Sequence, residues 1–410
     1  MDTTTPQAAP PPEKKSLFAT VVATTPVLLA IIATFILGQS SSEMTKAQYQ
    51  RSLASQNQAK VTNQWDFFQA KRSRGTTYEA TANLLYAQGA EPFTKDNLLD
   101  AAKNLIDEIQ LIEKDAGQMS NPAKALEKIK ALRTRAELSL KQIGAALNPP
   151  IAAGNDHQTI LTPDSVKSAL DALHAFPRAK HETNADADDG IDAEQRKILV
   201  EIIKDLRAFK PEKEIASRTL ELKTDTLDKA MERAKANAAK TAERGKAIDR
   251  VLEEFDALVD GHAELAREYQ QIMRPYLARI KAKGKVEDAE KLDVRINQVR
   301  TASANLLAYY KAARYRFDAR RYEDDARSNQ EAAYLYDIHV LQSSARSDRH
   351  LGRSFGFMIA MLVAQVSVTI GTLALAMKWR LPTWVIAVLA GLSAIALGVY
   401  IFLEMGPLNF

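Results

Sequence analysis

Three groups of residues carry side chains that chemistry could use. The first is His174 and His181 with Asp186, Asp188 and Asp189. Imidazole and carboxylate together suit a divalent metal. Pro177 stands between the two histidines, however, and destroys any helical ligand spacing, so the stretch reads as a solvated acidic loop. The run from Asn184 to Gly190 approaches the calcium-loop pattern. Its glycine comes one position late and its closing position holds Gln195 instead of glutamate, so no calcium site is expected. The second group interleaves Tyr309, Tyr310, Tyr315, Phe317 and Tyr322 with Lys311, Arg314, Arg316, Arg320 and Arg321. Aromatic and basic residues in alternation suit nucleic-acid stacking, but Asp318, Glu323, Asp324 and Asp325 offset the charge. The third is His262, which falls on an apolar helical stripe and reads as a neutral core histidine by default and a pH-sensitive one by exception.

The remaining chemistry is excluded more simply. With no cysteine in 410 residues there are no disulfides, thiolate metal sites or cysteine nucleophiles. No phosphate-binding glycine loop, nucleophile elbow or zinc-helix motif occurs. Lys and Arg total 55 against 51 Asp and Glu, a net charge of only +4, where a general nucleic-acid binder carries a marked basic excess. The expectation is a protein that is not an enzyme, with no cofactor or metal, no nucleic-acid partner and no evident small-molecule substrate.

The elements that would position any site are helical throughout. Three uncharged stretches, 17–38, 355–377 and 381–403, reach the ~20 residues that a spanning helix needs. Lys378 to Pro382 makes the turn of a hairpin between the last two, with Trp379 and Trp384 at the bilayer interface. Gly38 and Ser40 would also fit a signal-peptidase site, but the apolar run exceeds the usual 7–15 residues, which favours an uncleaved anchor. Lys14, Lys15, Lys378 and Arg380 fall on one side of such a topology, so the positive-inside rule puts the N-terminus in the cytoplasm. The central segment then lies outside the cytoplasmic membrane, although Arg346, Arg349 and Arg353 flank the second span from that side.

Between the spans the spacing is that of helices. Residues 1–16 form a Pro-rich, disordered tail, and 39–90 a stalk helix continuing the first span, with Gly75 as a soft spot. In residues 91–210, expected to be a helical insertion, Leu98, Ala102, Leu105, Ile109 and Ile112 make one stripe. Pro122 and Pro163 open further helices, and Asp192 with Gln195 resembles a capping box. Residues 211–354 are the most regular. Ile248, Leu252, Phe255, Val259, His262, Ala266, Tyr269, Met273, Tyr276 and Ile280 follow a 4, 3 spacing. After Gly284 the same spacing runs through Leu292, Ile296, Val299, Ser303, Leu306, Tyr310, Ala313 and Phe317. Folding the chain at Gly284 pairs the two series in one register, from Tyr276 with Leu292 to Leu252 with Phe317. The seam predicts an antiparallel coiled-coil hairpin roughly 50 Å long, with its tip near 284 and Pro275 kinking the first arm. Residues 404–410 form a short tail.

One segment stands apart. Trp65, Phe68 and Arg72 lie at i, i+3 and i+7 on one helical face with Gln69 beside them, and Gln64 and Lys71 share the neighbouring stripe. Tryptophan anchors are enriched in interface hot spots, so this face reads either as a docking surface or as packing of the stalk against the helix before the second span. The run from Val61 to Arg72, with Tyr78 and Glu79 following, resembles a bacterial membrane-protein family catalogued as domain of unknown function 4337. The resemblance rests on residues 16–80 and 328–403, that is, one N-terminal span, this aromatic segment and a C-terminal two-span hairpin. It implies an inner-membrane protein and supplies no catalytic residues. The expected whole is an all-α membrane protein with three transmembrane helices and a long helical-bundle or coiled-coil extramembrane domain. Its expected role is structural or interactive, with the lipid bilayer and a second copy or another protein as partners. A membrane sensor or accessory subunit is the alternative.

Overall fold

A computed structural model describes residues 17–116, 122–149, 161–175, 190–377 and 380–404; the proposed tails, the acidic loop up to residue 189 and residues 378–379 of the proposed 378–382 turn lie outside them, while 380–382 of that turn already belong to a helix. The described residues are 92% helical and contain no strand. Their helices are α1 (Leu17–Ala87), α2 (Lys95–Ala116), α3 (Pro122–Leu147), α4 (Pro163–Ala175), α5 (Ala193–Arg207), α6 (Glu212–Thr219), α7 (Thr224–Ala282), α8 (Val286–Ala376) and α9 (Arg380–Glu404).

Local chemistry explains several boundaries. Thr94 and Asn97 exchange bonds at the start of α2: the Thr94 amide donates to Asn97 Oδ1 at 2.8 Å and the Asn97 amide donates to Thr94 Oγ1 at 3.2 Å. Thr162 and Ser165 do the same for α4, at 2.8 and 3.1 Å. Each pair satisfies two of the donors that a helix start leaves open. The expected box at α5 does not form. Asp192 is the N-cap but makes no side-chain capping bond, and Gln195 turns to the α6–α7 connection instead. There it donates to the Glu221 carbonyl at 3.2 Å and accepts from the Lys223 amide at 2.8 Å. Between α7 and α8 the chain reverses at Gly284, whose φ of +75° is a left-handed value that costs glycine nothing. Pro275 lies inside α7, which stays helical through it.

The chain divides into two compact units. One comprises residues 62–191 and 228–333. Its core is built from the α7 and α8 stripes, with two further layers from α2, α3 and α4. Leu252, Phe255 and Val259 cluster with Leu306, Tyr310 and Phe317, and with Phe93 and Leu98, Ile143 of α3 and Val166, Ala169 and Leu173 of α4. Towards the tip, Tyr269, Met273, Leu292, Ile296 and Val299 cluster with Leu105, Ile109 and Ile112 of α2 and Ile129 and Leu132 of α3. The hairpin is thus a wall of a multi-helix bundle. The buried positions Val251 and Leu265, off the 4, 3 series, widen its apolar stripe enough to receive these helices.

The other unit comprises residues 1–61, 192–227 and 334–410. Parts of α1, α8 and α9 here are long and apolar enough to cross a membrane. They pack through small residues. Gly391 lies against Leu29 and Ser367, Gly371 against Pro26 and Ala387, and Gly356 against Ile401. Ala360, Ala364, Ala374, Ala387 and Ala394 are fully buried. Lipid tails are as apolar as leucine, so helices in a bilayer associate through such close backbone approach and not through burial of bulk. The bulk points outward: Val27, Ile31, Phe35, Val366, Leu389 and Phe402 are all more than half exposed. Beyond the spans Gln342 donates to the Thr219 and Leu222 carbonyls at 2.9 and 2.7 Å, tying the end of α6 to α8.

Candidate functional site

The aromatic segment sits on α1, and its two stripes have different fates. The inner stripe packs on α8. Lys71 Nζ donates to Asp325 Oδ2 at 3.0 Å. One turn on, a Cβ on Gly75 would stand 3.2 Å from the Ala319 carbonyl, so Gly75 marks a close helix approach and not a soft spot. Tyr78 then stacks on Tyr315 and Tyr322, each at 5.7 Å, and the Arg316 guanidinium lies 4.4 Å from the Tyr86 ring centroid. Gln64 on the same stripe is half-buried.

The neighbouring stripe is only partly covered. Trp65 and Phe68 are half-buried and meet edge-to-face at 5.5 Å and 87°. The Arg72 guanidinium lies 5.8 Å from the Phe68 ring centroid, and Gln69 and Arg72 are exposed. Phe67, which the sequence did not single out, is 56% exposed, but on the other flank of the packed stripe. The two aromatic rings are thus held by one another and flanked by a guanidinium, residue types that are enriched in interface hot spots.

Every proposed seam residue is buried except Tyr276 and Ile280, which are half-buried. Polar contacts accompany the seam. Tyr310 Oη donates to Asp256 Oδ1 at 2.6 Å and to the Leu252 carbonyl at 3.1 Å. Asp249 binds Arg314 and, at 2.7 Å, Arg321, while Arg314 also reaches Asp318 at 3.2 Å. Burial alone would raise Asp249, but the Arg321 hydrogen bond and the Arg314 charge outweigh it and hold the carboxyl below its usual range. For Asp318 burial wins and raises the carboxyl in spite of the same two arginines. Burial also pushes the Tyr310 phenol up, helped by Asp256, and drives His262 down to about 4, so this imidazole is neutral at pH 7. Within the aromatic–basic cluster of α8, Tyr310, Arg314 and Arg321 are thus engaged internally.

A polar cluster that sequence reasoning missed lies just beyond the first apolar stretch. His350 Nδ1 is 2.6 Å from Glu43 Oε2, Lys46 donates to Glu43 Oε1 at 2.9 Å, and Arg353 stands 3.9 Å away. Ser40 and Ser354 bond each other's carbonyls at 2.9 Å, and Ser347 donates to the Ala47 carbonyl at 2.9 Å. Burial would raise Glu43, but the His350 and Lys46 hydrogen bonds leave it lowered. The signal was present as serines and charges at helical spacing on two distant segments, but nothing local pairs them.

Elsewhere, the His174 carbonyl accepts a bond from Arg320 at 2.9 Å, and no group of three or more potential metal ligands occurs among the described residues. His181 and Asp186 to Asp189 lie outside those residues. No curated protein and no solved structure matches the chain. A family model matches residues 18–149, taking in α1, α2 and α3, and so residues 91–149 of the segment expected to be an insertion, but not residues 328–403. That model is described as Domain of unknown function (DUF4337), and residues 18–149 are similar to it.

Proposed function

We propose that the chain is a membrane-anchored structural or interaction protein, which self-associates or docks a protein partner through its helical domain. The supporting observation is the partly covered stripe on α1, where Trp65, Phe68 and Arg72 offer an aromatic surface beside the stripe already used for packing. Apolar surface of this kind favours burial against a partner, with aromatic and arginine residues as anchors. The anchor is the set of three apolar helices, with the N-terminus cytoplasmic and the domain on the outer side of the cytoplasmic membrane. A reporter fused near Gly190 checks that side, and cytoplasmic activity there would reverse the assignment. The main test is light scattering of the full chain in mild detergent. Wild type is expected to be larger than a monomer or to retain a partner, and Trp65→Ala with Phe68→Ala to lose that association. Equal masses and identical partners would contradict the proposal.

A second reading, an accessory or sensor subunit whose stalks relay binding, is favoured by the polar contact of α1 with α8 through Glu43, His350 and the serines. Hydrogen-bonded contacts can exchange partners more readily than an interlocked apolar core. Locking them with Ser40→Cys and Ser354→Cys would abolish a relay and leave an anchor unaffected.

A further inference from the structure

The apolar helices enclose a groove that their packing does not fill. It has a volume of about 610 Å3 and is lined from α1 by Ile31, Phe35 and Gln39, from α8 by Phe357, and from α9 by Val399 and Phe402, among others. Its floor is at Gly398, which is buried, yet a Cβ built there would meet no atom within 4 Å. The other glycines of these helices that contact a neighbour, Gly356, Gly371 and Gly391, are closed by Ile401, Pro26 and Leu29. Gly398 is instead the place where the close packing opens.

We infer that this groove is a binding site for one acyl chain of a membrane phospholipid. Three observations select that occupant. The lining carries no charge, and its one polar side chain, Gln39, lies at the end nearest the Glu43 cluster, where a polar headgroup would leave the hydrocarbon. The volume falls in the ~300–1,000 Å3 range of small-ligand sites. Eleven lining residues are far fewer than the about 20–30 a side that a stable protein interface takes. The walls also argue against a second copy, because they are Ile, Phe and Val, while helices that associate in a bilayer present small residues to each other. A flexible chain fits between bulky walls where a rigid helix cannot. The site rests on membrane insertion of the apolar helices but does not depend on the aromatic face of α1 or on self-association.

The test uses the full chain reconstituted in phosphatidylethanolamine vesicles doped with a phospholipid carrying a photoactivatable diazirine at the end of one acyl chain. Crosslinked sites are mapped by peptide mass spectrometry. Labelling is expected to concentrate on the groove residues Phe357, Val399 and Phe402. It should fall several-fold there in Gly398→Leu and Gly398→Phe, whose Cβ would meet no atom within 4 Å and whose side chains would compete for the groove. Gly38→Leu, at an exposed position with nothing within 4 Å of its Cβ, should leave the pattern unchanged. Two results overturn the site: labelling spread evenly over exposed positions such as Leu28, Val366 and Leu389, or groove labelling that survives filling. Crosslinks between copies through Phe402 that vanish on filling would also overturn it, in favour of a second copy. Absence of labelling from all three helices would instead reject membrane insertion itself.

Discussion

The two units hold their helices together in opposite ways. In the unit of residues 62–191 and 228–333, side-chain volume does the work: Phe93, Phe255, Tyr269 and Phe317 are at most 1% exposed, and arginine–aspartate pairs close the gaps. In the unit containing the apolar helices, glycines, alanines and serines line the contacts while Leu, Ile and Phe face outward. The difference follows from the solvent each surface meets. Water rewards burying bulk; hydrocarbon does not, and leaves close approach and hydrogen bonds as the sources of cohesion. Even backbone strain is distributed unequally. The positive-φ residues of the first unit are the glycines Gly89, Gly190 and Gly284, while the second holds Phe209 at +52°, with its ring 93% exposed.

Breaking each unit by its own rule gives the sharpest contrast. Phe255→Ala deletes a wholly buried ring from the aromatic cluster and should cost ~3–5 kcal/mol, read as a lower urea midpoint for the circular-dichroism transition. The corresponding injury to the other unit is an addition. A Cβ at Gly391 would sit 2.3 Å from Leu29 Cδ2, so Gly391→Ala should cost about 1–3 kcal/mol in detergent unfolding. Gly398→Ala, with open space around it, should be neutral.

How much of this was legible in the sequence depended on range. The 4, 3 spacing names one face of a helix whatever covers it, so Leu252 to Phe317 could be ranked as core from the sequence alone. Which helices cover that face could not be ranked, because Leu98 and Ile143 carry apolar stripes that would suit any partner. Gln195 misled for a related reason. Its spacing from Asp192 satisfies the capping-box pattern, while the Lys223 amide that it binds is far along the chain. Gly75 looked like a weakness because a sequence cannot show the Ala319 carbonyl that requires it. The aromatic segment was visible as a face, but its division into a packed and a partly covered stripe depends on where α8 lies. The Glu43–His350 pair joins residues 307 apart in the chain, beyond any local signal.

The pH response sharpens the contrast further. Burial lowers His262 from 6.5 to about 4, so the unfolded chain takes up a proton that the folded chain refuses. Stability tied to this residue is therefore fully present above pH ~6.5 and is lost as pH falls towards ~4, about 2 kcal/mol between pH 7 and pH 5. Denaturant titrations at those two values should show the loss in wild type and a much smaller one in His262→Leu. The smallest effect is expected at Phe209. Phe209→Asn suits the left-handed backbone better and should raise the stability of its unit by about 1 kcal/mol, measured by thermal unfolding.

The claim that two solvents impose two kinds of packing is tested most directly by hydrogen exchange, resolved by peptide, on the full chain in vesicles. Wild type is compared with Phe255→Ala. The account predicts that protection falls across α2, α3, α4 and residues 228–333 of α7 and α8, while peptides from 355–376 and 381–403 exchange as slowly as before. Equal loss of protection in the apolar helices would mean that one continuous core holds both regions, and would contradict it.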